Sequence, residues 1–211
     1  MKALWSDLKL AGLGIAAALV MVGCGGDSSS SSDGSAGTTC PTGSGYSVGD
    51  RGPAGGWIFY VDSADSYDFT YLEAAPQRLE LDDGTNVLHQ WASSYGGAYS
   101  IGGTGEGIGT GEANTQLVAN SLTNDGQSNR AVHRVLDFDL EGCGWFLPSK
   151  NELNAIYINL VQPDIADVPG GFYWTSSEGG VDQVWAQSMS FGTQQAQLKG
   201  TANSVWPVRA F

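Results

Sequence analysis

The sequence predicts an α+β domain, and three patterns carry that expectation. Short runs rich in aromatic and β-branched residues, bounded by glycine turns, open the domain at WIFYVD (57–62) and FTYLEAA (69–75). They return at its end in GFYWTSSE, QVWAQSMSFG, QAQLKG and SVWPVRAF. Between these blocks the apolar period changes from two to that of a helix: GEANTQLVANSL sets Ala113, Leu117, Val118 and Leu122 on one face, and NRAVHRVLDF does the same with Ala131, Val135 and Leu136. These are one helix interrupted by TNDGQS, or two short ones. A third helix opens at Ser149-Lys150-Asn151-Glu152, the S-x-x-E pattern of a capping box.

WIFYVD follows the turn GPAGG and pairs across a short polar loop with FTYLEAA. RLEL and NVLHQW flank Asp82-Asp83-Gly84-Thr85, whose Asp-Gly pair signals a hairpin. Residues 96–111 carry eight glycines, fit neither G-x-G-x-x-G nor the P-loop pattern, and form a loop approaching the helix at Ala113. After Ser149, the residues Leu153, Ile156, Tyr157 and Leu160 fall on one helical face, so this helix docks on the domain. Ser149 and Glu152 therefore have a structural role as cap. No histidine nearby in sequence would activate the hydroxyl as a nucleophile.

Ahead of the domain lies an export signal. Lys2 and Lys9 precede an apolar run from Leu10 to Val22, too short to span a bilayer, where about 20 residues are needed, and ordered like a cleavable peptide. Met21-Val22-Gly23-Cys24 resembles the bacterial lipobox, in which the cysteine becomes the acylated first residue of a lipoprotein. The organisation is thus a signal peptide over 1–23, a tether over 24–45 and a domain over 46–211. GGDSSSSSDGSAGTT after Cys24 has almost nothing to bury and reads as a flexible tether. Gly25 rather than Asp after the cysteine favours the outer membrane, by resemblance to enterobacterial sorting rules. The lipid makes the membrane the first partner.

Composition excludes one class outright. The chain carries a net charge of −13, and loss of the leader, with Lys2 and Lys9 against Asp7, leaves −14. Such a chain repels nucleic acid and has no basic cluster to bind it. Three cysteines less the lipidated Cys24 leave Cys40 and Cys143, an even pair in an oxidising compartment, either bridged or left as two thiols. No cofactor is expected. Asp137, Asp139 and Glu141 begin like a calcium loop, but the twelfth position is Pro148, so a calcium site there needs help from elsewhere. GYSVG (45–49) matches the nucleophile elbow without its strand and helix. Gln162-Pro163-Asp164 matches a galactose-type triplet without its Trp-Asn-Asp partner, and His89 and His133 lack zinc-ligand spacing.

YSVGDRGPAGGWIFYVD, YLEAAP, GTGEGIGTGEANT, WFLPSKNELNAIY, YWTSSE and VWAQSMSFGTQQAQLK with the closing VRAF together resemble the Lcl C-terminal domain family, named after a collagen-like surface adhesin of Legionella. The resemblance covers nearly all of residues 46–211. It implies a C-type lectin-like fold, with two or three short helices packed on twisted antiparallel strands and the chain ends close together. It also implies an exported, often lipid-anchored module, which in the named adhesin is associated with sulfated glycosaminoglycans. Only seven lysines and arginines remain outside the leader here, so a neutral glycan or a protein surface is the better ligand for this chain. Aromatic stacking puts the candidate ligand surface at Trp174 and Glu178 on the YWTSSE strand and Trp185 and Gln187 on VWAQS. The expected function is a non-enzymatic, lectin-like adhesion module of the cell envelope. The alternatives are a structural envelope lipoprotein with a protein partner, and an enzyme like the formylglycine-generating relatives of the fold, which use a reactive cysteine pair.

Overall fold

The structure is a computed structural model that describes residues 40–80, 87–93 and 100–211. Among the described residues it is an α+β arrangement of short helices and three small antiparallel sheets. The first sheet has the order β1-β2-β8, from Trp57–Val61, Tyr71–Ala74 and Val208–Ala210; Trp57 lies opposite Ala74 and Val61 opposite Tyr71. This is the pairing expected of WIFYVD and FTYLEAA. The second joins β3 (His89–Gln90) to β7 (Ala202–Asn203), and the third runs β4-β5-β6 through Phe172–Gly180, Gln183–Ser188 and Gln194–Leu198. The hairpin expected across 82–85 has its turn outside the described residues; of its second arm, His89 and Gln90 pair with Asn203 and Ala202.

The middle of the chain forms two helices, α1 (Gly111–Asn124) and α2 (Ala131–Leu136). Their buried faces differ from the expected ones. In α1 the inward residues are Asn114, Thr115, Val118, Ala119 and Leu122, while Ala113 and Leu117 face out. The polar pair is accepted inside because it is fully bonded: Asn114 donates to Gly105 O at 2.7 Å and Ser176 Oγ at 3.1 Å, and Thr115 donates to Gly111 O at 2.7 Å. In α2 Val132 takes the inward place expected of Leu136.

Helix α3 covers Lys150–Ile156 and continues as a π-helical turn over Tyr157–Val161, closed by Gln162 N–H on Tyr157 O at 2.8 Å. Its apolar face packs against β1, β4 and β5, and α1 packs on β4. Strand β4 has no solvent face over its centre: all five residues from Tyr173 to Ser177 are buried. Trp91, Trp174 and Trp206 are fully buried in the single core, with Trp145 nearly so.

Residues 40–45, assigned to the tether by their composition, are held to the domain. Cys40 is bridged to Cys143 across a separation of 103 residues, with Cα atoms 4.8 Å apart. Pro41 O accepts from Arg209 at 2.9 Å, and Gly45 N–H donates to the Tyr71 hydroxyl at 2.9 Å. Cys24 lies outside the described residues.

Candidate functional site: an aromatic cleft edged by carboxylates

The start and end of the domain meet at one place. Phe211 O accepts from Thr70 and Tyr71 N–H at 3.0 and 2.9 Å, and Phe211 N–H donates back to Tyr71 O at 3.1 Å. The rings follow the backbone. Tyr46 stands edge-on to both Tyr71 and Phe211, with centroids 5.4 and 6.0 Å apart.

The loop between β1 and β2 supplies the next wall. The buried Asp62 carboxylate collects the N–H groups of Ala64, Ser66 and Tyr67 and fixes the loop as a tight turn. That turn presents Tyr67 and Phe69 as a parallel stack, 5.0 Å between centroids and 4° between planes, with Asp68 exposed between them.

The opposite wall is the first turn of α1, and its position depends on Glu152. The glutamate closes the capping box of α3, accepting from Ser149 N–H at 2.7 Å, while Ser149 Oγ accepts from Glu152 N–H at 3.3 Å. It also accepts from Gly109 N–H at 2.8 Å and Gly111 N–H at 3.3 Å, so one carboxylate caps two helices. Burial pushes this carboxyl up and the backbone donors pull it down. Gly111 has to be glycine, because a Cβ there would sit 2.2 Å from the Glu152 carboxylate and 2.9 Å from the Phe146 ring.

Between these walls lies an open cleft of about 450 Å³ lined by Phe69, Phe146 and Phe211 and edged by Asp68 and Glu112. Its size is within the range of small-ligand sites. Apolar ring surface and carboxylate acceptors in one concavity suit a ligand with C–H faces and hydroxyl donors. The sequence conceals it because Phe69 and Phe211 are 142 positions apart and each reads there as a strand-end residue.

The residues first assigned to a ligand surface are elsewhere, and two of the four cannot serve. Trp174 is fully buried and its indole donates to His89 O at 2.7 Å. Gln187 is also fully buried, donating to Gly192 O at 2.7 Å. Glu178 holds the glycine tract, accepting from Ile101 N–H at 2.9 Å and Gly102 N–H at 2.6 Å, and forms an ion pair with Lys199. Trp185 is half-buried: its indole donates to Glu106 at 2.8 Å and Lys150 Nζ lies 3.5 Å above its ring. Lys150 also donates to Glu106, which with the Trp185 indole holds that carboxyl below its usual range against burial. The alternation assumed for these strands fails because β4 has no solvent face over its central residues.

The calcium candidates Asp137, Asp139 and Glu141 are not gathered into one site. Among the described residues no three His, Cys, Asp or Glu side chains are gathered to hold a metal ion. Asp137 and Asp139 line a cleft of about 200 Å³ with Glu80, His89 and Arg134, whose guanidinium opposes a cation there. Asp139 is engaged by Gly142 N–H at 3.1 Å, and Glu141 does not line this cleft.

No family model matches the chain, and no curated protein matches it. A solved structure of a fimbrial protein from Bacteroides ovatus is similar at a TM-score of 0.46 and 14% identity, over 74% of this chain and 44% of that one. The chain thus spans less than half the length of that protein.

Proposed function

We propose that the chain is an exported envelope lipoprotein, anchored through Cys24, whose domain is a non-enzymatic, lectin-like module binding a neutral glycan in the cleft of Phe69, Phe146 and Phe211. The observation that carries this reading is the pairing of these rings with the Asp68 and Glu112 carboxylates. A pyranose ring offers apolar faces to aromatic side chains and hydroxyl donors to carboxylates. It brings no charge into an acidic surface. In this reading the fold is C-type lectin-like and the domain is of the Lcl C-terminal kind. The contact of Tyr46 with Phe211, the pairing of β8 with β2 and the helices packed on antiparallel strands support it.

The non-enzymatic part of the reading rests on what the reactive groups already do. Ser149 is buried in a cap, donating to Gly107 O at 2.7 Å, and Cys143 is bridged to Cys40. An array of neutral oligosaccharides tests the assignment. Binding should fall at least tenfold with Phe69→Ala and with Asp68→Asn while the melting temperature of the Asp68→Asn protein stays put. An array on which nothing neutral is retained, or retention indifferent to both changes, would overturn it.

A further inference from the structure

Among the described residues, the outer edges of the two three-stranded sheets are closed with one exception. The outer side of β1 is closed by Gly49 and Asp50, through Gly49 N–H on Ile58 O at 2.8 Å and Ile58 N–H on Asp50 O at 3.0 Å. That of β8 is closed by Phe146, which exchanges both bonds with Val208 at 2.8 and 3.0 Å. Strand β4 is covered by Ser204 and Pro148, which bond Trp174 N–H and Ser176 N–H at 3.0 and 2.8 Å.

Strand β6 is different. Ser188 N–H on Thr193 O and Lys199 N–H on Asp182 O set the phase of the ladder, so residues 193, 195, 197 and 199 bond inward to β5. Gln194, Ala196 and Leu198 then direct their backbone groups outward, the Leu198 carbonyl also accepting from Thr201 N–H at 2.9 Å. Among the described residues no partner meets their N–H groups.

Open edges are normally blunted by lysine, proline or a bulge. Here the reverse holds: no charged residue occurs from Gln183 through Leu198 in a chain of net charge −13. Exposed apolar side chains gather at the two ends of the strand, with Phe191 81% exposed at one and Leu198 and Val181 60% and 51% exposed at the other.

We infer that β6 is an association edge and that its occupant is a second copy of this chain, paired antiparallel about Ala196. The strand is self-complementary in that arrangement. Ala196 faces Ala196 of the other copy and Gln194 faces Leu198, and these pairs are of the hydrogen-bonded kind, so all three outward residues find main-chain partners. Two strongly acidic chains can approach there because this hairpin carries none of their charge.

The test uses the full chain carrying Cys24→Ser, so that an engineered thiol is the only free one. Hydrogen-bonded partners across an antiparallel pair have Cα atoms about 5.5 Å apart, within disulfide reach. Ala196→Cys should therefore form a covalent dimer under mild oxidation, and Gln195→Cys, which faces Gln197 of the other copy, should not. Sedimentation of the parent should give twice the monomer mass at tens of micromolar. Ala196→Pro removes an N–H that bonds nothing among the described residues, and should give a folded monomer; if it does not fold, Leu198→Lys should weaken the dimer at least tenfold. A monomeric parent, equal cross-linking at 195 and 196, or a dimer that persists in the folded Ala196→Pro or Leu198→Lys chain would each overturn the inference.

Discussion

Glu73 and Arg209 face each other in register across β2 and β8 and form a fully buried ion pair, with the guanidinium 2.7 Å from the carboxylate. Each end is used further. Glu73 accepts from Gly56 N–H at 2.7 Å and so holds the GPAGG turn, which approaches so closely that a Cβ on Gly56 would lie 2.0 Å from Ala74 O. Arg209 donates to Pro41 O and to both sulfurs of the disulfide. The chain entry, the first turn and the last strand are thus joined at one charge pair.

Breaking half of that pair leaves a buried charge without its counterpart, which costs about 3–5 kcal/mol. Glu73→Gln should lower the stability of the oxidised protein by about that amount in denaturant titration. The double change Glu73→Leu with Arg209→Met should cost less than the single one. A Glu73→Gln loss under about 1 kcal/mol would show that the pair is not the junction described.

The cap of α3 makes a graded prediction. Ser149→Ala should cost about 1 kcal/mol through the lost N-cap acceptor. Glu152→Gln should cost more, since an amide cannot accept at both ends and at least one of the Ser149, Gly109 and Gly111 donors is left unpaired in the interior, at about 1–3 kcal/mol. Because Glu152 also fixes the first turn of α1, its replacement should weaken binding in the cleft and Ser149→Ala should not. Equal losses of binding in the two variants would contradict the separation.

These residues also mark what the sequence makes legible. The S-x-x-E box can be read because its partners lie within four positions, and the pairing of β1 with β2 can be read because alternation and a short loop specify it locally. The second role of Glu152, toward Gly109 and Gly111, is invisible there, since it joins segments more than 40 positions apart. Alternation misleads at Trp174 for a related reason: whether a strand has one covered face or two is decided by α1, α3 and the β3-β7 pair, which lie elsewhere in the chain. The cleft depends on the meeting of the two ends of the domain, and no local pattern encodes that.

Acidification should loosen α2. His133 Nδ1 accepts from Arg130 N–H at 3.2 Å, which leaves Nε2 to donate to Thr123 Oγ1 at 3.1 Å, so the bonded form is the neutral ring. Burial lowers the pKa of His133, and burial with Arg134 nearby lowers that of His89. A folded-state value below the ordinary 6.5 means that the unfolded chain binds more protons in the window between them. The contribution is therefore complete above about pH 6.5 and is lost as the pH falls toward the folded-state value. Glu152, pushed up by burial, works in the opposite sense, so the readout is a difference. His133→Gln keeps an acceptor for Arg130 N–H without a titrating group. Its melting temperature should fall less than the parent's between pH 7.5 and 5. Parallel curves would remove His133 from the account.

Immobilised heparin should retain the domain weakly or not at all at about 0.15 M salt, where surface charges are screened beyond roughly 8 Å. Net charge sets the sign of the long-range term, and the placement of the cations decides the rest. Four of the seven lysines and arginines outside the leader are ion-paired within the domain: Arg78 with Glu80, Lys150 with Glu106, Lys199 with Glu178 and Arg209 with Glu73. Arg130 bonds Gln90 and Ser93, Arg51 lies 3.4 Å over the Trp57 ring, and Arg134 opens onto a cleft shared with three carboxylates. A sulfated polymer would have to displace these contacts while approaching an acidic surface. Tight, salt-sensitive retention that disappears with Arg130→Gln and Arg134→Gln would instead establish a basic site on α2, and would move the ligand from the aromatic cleft to that face.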